Sequence, residues 1–258
     1  MQERTVLITG ASAGIGRELS KVFAREGHDL VLVARSKDKL EELAGSLGDR
    51  YGVEAVPIAR DLSRPDAPGA LFAAVEKLGI QVDVLVNNAG LLSDGNFADT
   101  SWDRYVELLQ LNVMTPAALC HSFLPAMLER GHGKIMNVAS IAAFQPLPRL
   151  ALYSASKAFL LHFTEALSEE LRGSGVTATA LCPGFTETDM LSDRQAGWPP
   201  PFAVGRAEEV AQEGFRACMS GAPVHVNGAA NQLLTQMVRL QPRWLVRALT
   251  GMAARAYR

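Results

Sequence analysis

Short runs of apolar residues alternate along the chain with longer segments in which apolar residues recur every three to four positions. The runs are apolar throughout, which is typical of strands covered on both faces in a parallel sheet. They are Val6-Leu7-Ile8, Leu30 to Val33, Val82 to Val86, Ile135 to Val138 and Val176 to Leu181. The helical periodicity is clearest over 14–26, 36–47, 101–129 and 151–172. This alternation predicts right-handed βαβ units and therefore an α/β fold with a doubly wound parallel sheet.

Two regions interrupt the alternation. Residues 190–206 contain the run Trp198-Pro199-Pro200-Pro201-Phe202, which predicts a loop or lid because proline disrupts regular structure. After Gly228 the pattern predicts two helices, about 230–240 and 243–256, separated by Pro242. No internal repeat or change of composition marks a second domain. We therefore expect one domain over 1–228 and a helical extension over 229–258.

The composition favours a globular protein with a small-molecule partner. The chain has 258 residues, 48% of them hydrophobic, which is enough to bury a sizeable core. Its formal net charge of −2 lacks the basic excess that binds a nucleic-acid backbone. The three cysteines and five histidines show no disulfide or metal-ligand spacing, so we expect no metal. Without an evident leader or long apolar span, we expect a cytoplasmic protein.

The first apolar run ends in a glycine-rich turn, Thr9-Gly10-Ala11-Ser12-Ala13-Gly14-Ile15-Gly16, followed at once by a helical pattern. Glycines there allow a tight turn and let backbone N–H groups approach a pyrophosphate at the helix N-terminus, where the helix dipole favours negative charge. The alternative is a turn that only reverses the chain. The glycine spacing is G-x-x-x-G-x-G, which differs from the commoner dinucleotide-binding spacing.

This turn is one of several motifs that resemble the short-chain dehydrogenase/reductase family. Asn87-Asn88-Ala89-Gly90 follows the run ending at Val86, and Asn112 lies in the next helical segment. Ser140 follows the next strand, Tyr153-x-x-x-Lys157 comes 13 residues later, and Pro183-Gly184 follows the strand ending at Leu181. The resemblance covers about residues 4 to 228. It implies a single Rossmann-type domain and a catalytic set of Asn112, Ser140, Tyr153 and Lys157.

The resemblance also implies a role for each catalytic residue. Ser140 would hold the substrate oxygen while Tyr153 delivers a proton to it as hydride arrives at carbon. Lys157 would favour the phenolate and bind the nicotinamide ribose, and Asn112 would support a water that passes protons toward Lys157. The alternative for Asn112 is a satisfied polar residue within a helix, where asparagine is mildly unfavourable.

The tyrosine and lysine also make chemical sense without the family. Tyr153 and Lys157 are four residues apart in a helical pattern, so their side chains share a face. A phenol has a reference pKa of about 10, and a nearby ammonium lowers the pKa of a phenol by favouring the charged form. The alternative, that this spacing is accidental, applies to an isolated Tyr-x-x-x-Lys. Ser140 and the upstream glycines favour the functional interpretation.

The second strand predicts the choice of cofactor. At its end, where an NAD-preferring site usually places an acid, this chain has Ala34 and Arg35. A guanidinium pairs well with a 2′-phosphate, so we expect NADP(H), with Ser12, Ser36 and Lys39 as helpers. The alternative is an exposed arginine at the start of a loop. Asp61 and Leu62, after the third strand, match the family position that touches adenine.

Cofactor contacts are expected along the carboxyl ends of the strands. Pro183-Gly184-Phe185-Thr186-Glu187-Thr188 matches the family segment that contacts the nicotinamide carboxamide, although Thr186 stands where Val or Ile is more common. The expected cofactor-binding residues are Gly10, Ser12, Ala13, Gly14, Ile15, Gly16, Arg35, Ser36, Asp61, Leu62, Asn87, Asn88, Ala89, Gly90, Tyr153, Lys157, Pro183, Gly184, Thr186 and Thr188.

The segment from Ile141 to Leu152, with Phe185, Met190 and Trp198, predicts an apolar pocket for ketones, aldehydes, or acyl or steroid-like substrates. The expected activity is therefore NADP(H)-dependent transfer of a hydride to or from a carbonyl or alcohol carbon. A non-catalytic NADP sensor would not need all four catalytic residues. An epimerase or dehydratase would usually have a longer substrate domain.

The tail after Gly228 leaves several functions open. Residues 232–258 contain five arginines and no acidic residue, and the last predicted helix places Trp244, Leu245, Ala248, Leu249 and Met252 on one face. Such a helix could lie on an anionic membrane, cap the pocket, join a dimer, or simply pack against the domain. We expect a homodimer or homotetramer.

Overall fold

The computed structural model of the chain describes residues 5–187 and 204–256. Their strands form one parallel sheet in the order β3-β2-β1-β4-β5-β6-β7. The strands are β1 Thr5–Thr9, β2 Asp29–Ala34, β3 Ala55–Ala59, β4 Val82–Asn87, β5 Gly133–Val138, β6 Val176–Cys182 and β7 Val224–Val226. The strand order reverses between β1 and β4. In such sheets a crevice opens at this switch point, outside the carboxyl ends of the two strands.

Helices cover both faces of the sheet. They are α1 Gly14–Arg25, α2 Lys37–Tyr51, α3 Ala67–Lys77, α4 Trp102–Leu109, α5 Thr115–Arg130, α6 Ala151–Glu170, α7 Ala207–Ser220, α8 Ala229–Leu240 and α9 Arg243–Ala256. A π-helical turn, Gln110–Met114, joins α4 to α5, and a 3₁₀ turn, Ile141–Phe144, follows β5. The doubly wound fold predicted from the apolar pattern is confirmed.

The core lies in two layers because each strand turns alternate side chains to opposite faces. Ile8 and Leu32 pack with Phe23 of α1 on one face, while Leu7 and Leu85 pack with neighbouring helices on the other. All five of these side chains are fully buried. The uninterrupted apolar runs of the sequence therefore follow from burial on both faces.

The two edge strands were not among the predicted apolar runs. β3 contains Pro57 and is exposed at alternate positions, as an edge strand tolerates. β7 has only three residues, all partly exposed. The helical stretches did not include α3 or α7. In the tail the expected helices, about 230–240 and 243–256, agree with α8 and α9. The division of the chain at residue 228 stays a prediction.

The helical stretch Trp102–Arg130 is 29 residues long, and by length and hydropathy alone it could cross a membrane. One row of its apolar side chains instead packs against the sheet. Leu119, Phe123 and Met127 belong to the core layer that contains Leu85 of β4 and Ile135 of β5. The core helix of a globular domain has this combination of length, hydropathy and packing.

Two leucines of α5 test this packing. Leu119 is fully buried, whereas Leu128 is 42% exposed. Leu119→Ala should lower the free energy of unfolding by about 2–5 kcal/mol, because it leaves a cavity in the core. Leu128→Ala should change it by less than about 1 kcal/mol, since most surface substitutions are small. Urea unfolding of both variants measures the difference, and equal losses would contradict the assignment of α5 as a core helix.

Candidate active site

The carboxyl ends of β1 and β4 are joined by the side chain of Thr9. Its hydroxyl donates to the carbonyl of Val86 at 3.3 Å and accepts the backbone N–H groups of Asn88 and Ala89, each at 3.0 Å. The side chain of Asn88 bonds back to the glycine turn: its Nδ2 donates to the carbonyls of Thr9 at 2.9 Å and Gly10 at 3.3 Å. The glycine turn and the Asn87-Asn88-Ala89-Gly90 segment therefore form one rigid unit.

This unit leaves no room for larger residues at two of the glycines. A Cβ at Gly16 would lie 2.2 Å from the carbonyl oxygen of Gly10 and 2.4 Å from Asn88 Nδ2. Gly10 itself has a φ of +68°, which favours glycine. The two glycines are thus explained by the close approach of neighbouring backbone and of the Asn88 side chain, which a simple chain reversal would not require.

The first turn of α1 is suited to bind an anion. The helix begins at Gly14, its first turn contains no acidic residue, and no side chain among the described residues caps it. Its N–H groups and dipole therefore favour a negatively charged ligand. Ser12, Ala13, Gly14 and Ile15 are all partly exposed along this turn. The residues present fit the pyrophosphate of a dinucleotide.

A cationic corner lies at the ends of β2 and β3. Arg35 and Ser36 are exposed just before α2, and Ser36 is the N-cap residue. Partial burial works to raise the pKa of Asp61, but hydrogen bonds from Ser63 and the charges of Arg35 and Arg64 outweigh it and lower that pKa. Asp61 is therefore ionised at neutral pH and attracts Arg35. The neighbouring Leu62 is buried, and its carbonyl accepts from Thr115 at 2.8 Å.

The side chain of Asn87 lies beneath the crevice. Its Nδ2 donates to Asn137 Oδ1 at 2.8 Å, and Asn137 Nδ2 donates to the hydroxyl of Thr164 on α6 at 2.8 Å. All three residues are buried. This network ties β4, β5 and α6 together, so the side chain of Asn87 contributes to positioning. Its expected contact with cofactor stays a prediction.

Asn112 lies on the π-helical turn and is almost fully buried. Its Oδ1 accepts from the N–H of Leu91 at 2.8 Å, and its Nδ2 donates to the carbonyl of Leu91 at 2.9 Å and to Ser156 Oγ at 3.1 Å. Ser156 in turn donates to the carbonyl of Tyr153 at 2.7 Å. Asn112 thus fixes the segment after Gly90 against the helix that holds the tyrosine. π-Helical turns occur frequently at functional sites.

Tyr153 and Lys157 share one face of α6, as their spacing predicts. The Lys157 ammonium lies 5.9 Å from the centroid of the Tyr153 ring and donates to the carbonyl of Val138, the last residue of β5, at 2.8 Å. A Cβ at Gly90 would lie 3.4 Å from Lys157 Nζ and 3.3 Å from Asn112 Oδ1. Burial lowers the pKa of Lys157 from 10.5 to about 8. The site therefore holds a buried cation at the carboxyl end of the central strand β5.

Ser140 follows β5 and caps the 3₁₀ turn. Its hydroxyl oxygen accepts from the N–H of Ala142 at 3.1 Å, which leaves its own proton available to a ligand. The turn contacts α6, so Ser140 is held beside the helix of Tyr153 and Lys157. Ile141, Ala142 and Ala143 are buried, and Phe144 is only partly so. The first three residues of the expected apolar lining therefore belong to the core, whereas residues 144–152 are partly or fully exposed and their contact with substrate stays a prediction.

The segment after β6 contacts the tail. Thr186 is buried and its hydroxyl donates to the carbonyl of Gly184 at 3.0 Å. A Cβ at Gly184 would lie 2.3 Å from Nδ2 of Asn231 on α8, so the Pro183-Gly184 turn packs directly on the tail. Thr188, Met190 and Trp198, which were expected at the site, lie outside the described residues, as does most of the predicted 190–206 loop.

Sequence reasoning missed several residues that position the site. Thr9 and Ser156 lie inside motifs that were recognised, and their short polar side chains offered a signal. Asn137 and Thr164 were hidden within apolar segments. Asn231 lies far along the chain from Gly184, and nothing in the local pattern links the two.

The buried lysine predicts how stability depends on pH. Between pH 8 and 10.5 the unfolded chain binds a proton at Lys157 that the folded chain has lost. The unfolding free energy of the wild type, relative to Lys157→Met, should therefore rise over this range, by as much as about 3 kcal/mol, and stay level below it.

Urea unfolding at a series of pH values measures this difference. The matched control is Lys77→Met, because Lys77 is exposed and its ammonium is hydrated in both states. A difference for Lys157→Met that does not change with pH would contradict the burial of a charged ammonium at this position.

Comparison with known proteins identifies the family. The family model for short chain dehydrogenase matches residues 4–197. Ketoacyl reductase HetN of Nostoc sp. is 33% identical over 215 residues, covering 83% of this chain and 75% of that protein. Very-long-chain 3-oxoacyl-CoA reductase of Anas platyrhynchos is 36% identical over 200 residues, covering 76% of this chain and 64% of that protein.

The solved structures agree with the family model. The short-chain dehydrogenase from Sphingobium yanoikuyae in complex with NADPH is 32% identical to this chain, with a TM-score of 0.82 and coverage of 92% of this chain and 93% of that chain. Its parallel-sheet fold is the one described above. This chain therefore belongs to the short-chain dehydrogenase/reductase family and is an oxidoreductase of that family.

Proposed function

We propose that the protein is an NADP(H)-dependent oxidoreductase acting on a carbonyl or alcohol carbon of a largely apolar substrate. The observation that carries the proposal is the buried Lys157 ammonium, which lies 5.9 Å from the Tyr153 ring centroid and 2.8 Å from the carbonyl of Val138. Burying a charge costs free energy, and such a cost is typical of functional sites. When bound, the nicotinamide supplies or accepts the hydride.

Tyr153 acts as the proton donor during carbonyl reduction and as the acceptor in the reverse direction. The positive charge of Lys157 stabilises the phenolate that remains once the proton has left. Only one of the three ammonium donors is used by Val138, so the others are available to a ribose hydroxyl and to a water that returns the proton. Asn112 supports this arrangement by fixing Leu91 and, through Ser156, the helix of Tyr153.

Ser140 orients the substrate. Its oxygen already accepts from Ala142, so its hydroxyl proton points away from that bond and donates to the substrate oxygen. The same oxygen then receives the proton of Tyr153. Two donors on one oxygen stabilise the negative charge that develops there as hydride adds to the carbon.

The choice of NADP(H) rests on Arg35. The guanidinium is exposed beside Ser36, and its charge interacts favourably with the ionised Asp61. Charge-assisted pairing with a 2′-phosphate would use this position, with Ser12 and Lys39 as further donors. The structural neighbour from Sphingobium yanoikuyae, whose complex contains NADPH, supports this cofactor.

An apolar substrate fits the relatives named for ketoacyl and 3-oxoacyl-CoA reduction, so ketones and acyl thioesters are the first candidates. We further propose a cytoplasmic homodimer or homotetramer. Large apolar side chains exposed on α4, the π-helical turn and α6 support self-association; they are Trp102, Val106, Met114 and Phe159.

Tyr153→Phe should lower kcat by about 10²–10⁴, because general acid catalysis is lost while the ring is kept. NADPH affinity should stay within about twofold, since the phenol acts on the substrate oxygen. NADPH absorbance with a panel of ketones, aldehydes and 3-oxoacyl thioesters gives kcat, and nucleotide fluorescence gives the affinity. Tyr51→Phe, on α2, is the matched control. A Phe variant that keeps more than about a tenth of wild-type kcat would exclude Tyr153 as the donor.

Arg35→Ala should weaken NADPH binding about 10- to 150-fold and leave NADH binding nearly unchanged, since only NADPH has the 2′-phosphate. Both dissociation constants are measured at one ionic strength, because salt screens an exposed pair. Arg25→Ala, at the far end of α1, is the matched control. Equal weakening of both nucleotides, or a wild-type preference for NADH, would contradict the assignment of NADP(H).

A further inference from the structure

The two tail helices expose most of their large apolar side chains. On α8 these are Leu233, Leu234, Met237 and Leu240, and on α9 they are Trp244, Leu249 and Met252. Leu240 is 83% exposed and Trp244 is 63% exposed. Single exposed apolar residues are ordinary on a protein surface. Seven on two consecutive helices indicate a surface that binds a partner.

The apolar stripe of α8 is turned away from the residues that pack on the domain. Leu233, Met237 and Leu240 recur at helical spacing along one face, with Leu234 beside them. The contacts with the domain are made from a different face, where Asn231 packs on Gly184 and Thr235 is buried. Gln232, which donates to the carbonyl of Val226 at 2.9 Å, and Arg239, which lies over the Phe144 ring, border this domain-facing side. This helix therefore has one face for the domain and a separate apolar face.

α9 also has one side that faces the protein and an opposite side that is exposed. Val246 is buried, and Thr250 and Ala254, four and eight residues further on, are partly buried, so this row faces the protein. Trp244, Ala248 and Met252 form a second row, which is exposed. The two rows are offset by two residues, about 200° around a helix, so they lie on opposite sides. Simple packing against the domain, one of the alternatives for this helix, leaves its main apolar face uncovered.

The charge of the tail differs from that of the rest of the chain. All 27 acidic residues lie before position 214, and residues 214–258 contain six arginines and neither aspartate nor glutamate. Arg239 on α8 and Arg243, Arg247 and Arg255 on α9 are exposed. A chain with a formal net charge of −2 thus ends in a cationic, apolar segment.

We propose that α8 and α9 dock on an anionic lipid surface. Leucine, methionine and tryptophan side chains would enter the boundary between head groups and acyl chains, and the arginines would pair with lipid phosphates. Arginine suits such a boundary because its long stem can lie along apolar surface while the guanidinium reaches the phosphates.

A second copy of the chain fits this surface less well. In a twofold contact the same patch meets itself, so the arginines of one tail would face those of the other. No acidic residue after position 213 is available to pair with them. An anionic lipid surface supplies both the apolar phase and the opposite charge.

Docking there would place the substrate side of the active site close to the lipid. The guanidinium of Arg239 on α8 lies 5.9 Å from the ring centroid of Phe144, in the turn that begins after Ser140. On the same helix Asn231 packs against Gly184. The tail is therefore in contact with two segments of the site, and an apolar substrate dissolved in the lipid would be presented beside it.

The test is flotation of the full-length protein with vesicles made of equal parts phosphatidylcholine and phosphatidylglycerol, and with vesicles of phosphatidylcholine alone. We expect binding to the anionic vesicles, weaker binding to the neutral ones, and loss of binding at high salt. Leu249→Gln/Met252→Gln should reduce partitioning at least about tenfold, since both side chains would leave the apolar phase. Arg243→Gln/Arg247→Gln should reduce it about 30-fold, the effect of removing two charges near the surface.

Matched controls distinguish docking through the tail from nonspecific binding to vesicles and from misfolding. Leu78→Gln/Leu128→Gln changes an exposed leucine directly after α3 and one on α5, and Arg25→Gln/Arg172→Gln changes exposed arginines elsewhere. Both variants should bind vesicles as the wild type does. NADPH binding verifies the fold of every variant and does not depend on the tail surface, so it also tests the proposed cofactor separately.

Two outcomes would overturn the proposal. One is wild-type protein that does not float with the anionic vesicles. The other is a tail variant that floats as the wild type does but loses an oligomeric state measured by light scattering, which would assign the apolar faces to a second copy of the chain.

Discussion

The hydroxyl of Thr9 joins the two strand ends on which the crevice is built. It accepts two backbone N–H groups from the segment after β4 and donates to the carbonyl of Val86. This draws Asn88 over the glycine turn, where its amide occupies the space that a Cβ at Gly10 or Gly16 would need. The glycines are therefore a consequence of how closely these two strand ends approach.

The same constraint extends to the residues that we propose as the reacting groups. Asn88 and Ala89 are fixed by Thr9, and Gly90 directly after them packs between Asn112 and Lys157. Asn112 holds Leu91 through both of its side-chain polar atoms and reaches α6 through Ser156. A continuous series of hydrogen bonds and close contacts thus leads from the first glycine turn to the helix of Tyr153. Such a preorganised framework would place the proposed catalytic groups without reorganisation during a reaction.

Lys157 combines a cost in stability with a position that suits its proposed function. Burial lowers its pKa to about 8, and its single described hydrogen bond is to the carbonyl of Val138. A buried cation with remaining donors destabilises the ligand-free protein but is suited to a bound hydroxyl and a nearby phenolate. The tail has a different cost, since its apolar side chains are exposed to water. Its inner face packs on Phe144 and Gly184, next to the candidate site. A bound ligand would use the remaining donors of Lys157, and a lipid surface would cover the exposed apolar side chains of the tail.

The sequence by itself determined the local elements and the motif residues. Strands buried on both faces produce uninterrupted apolar runs, so the central strands and the doubly wound fold could be predicted, as could the two tail helices. The edge strands could not, because Pro57 in β3 and the three partly exposed residues of β7 lack that pattern. The spacings of the glycines, the tyrosine and the lysine could predict a candidate site, because each spacing lies within one turn or one helix. Only the tertiary structure decided the contacts between distant segments: Asn112 with Leu91, Asn87 with Asn137, Asn231 with Gly184, and the outward face of the tail. A helical pattern reveals that a face is apolar, but which side the domain covers depends on where the helix packs.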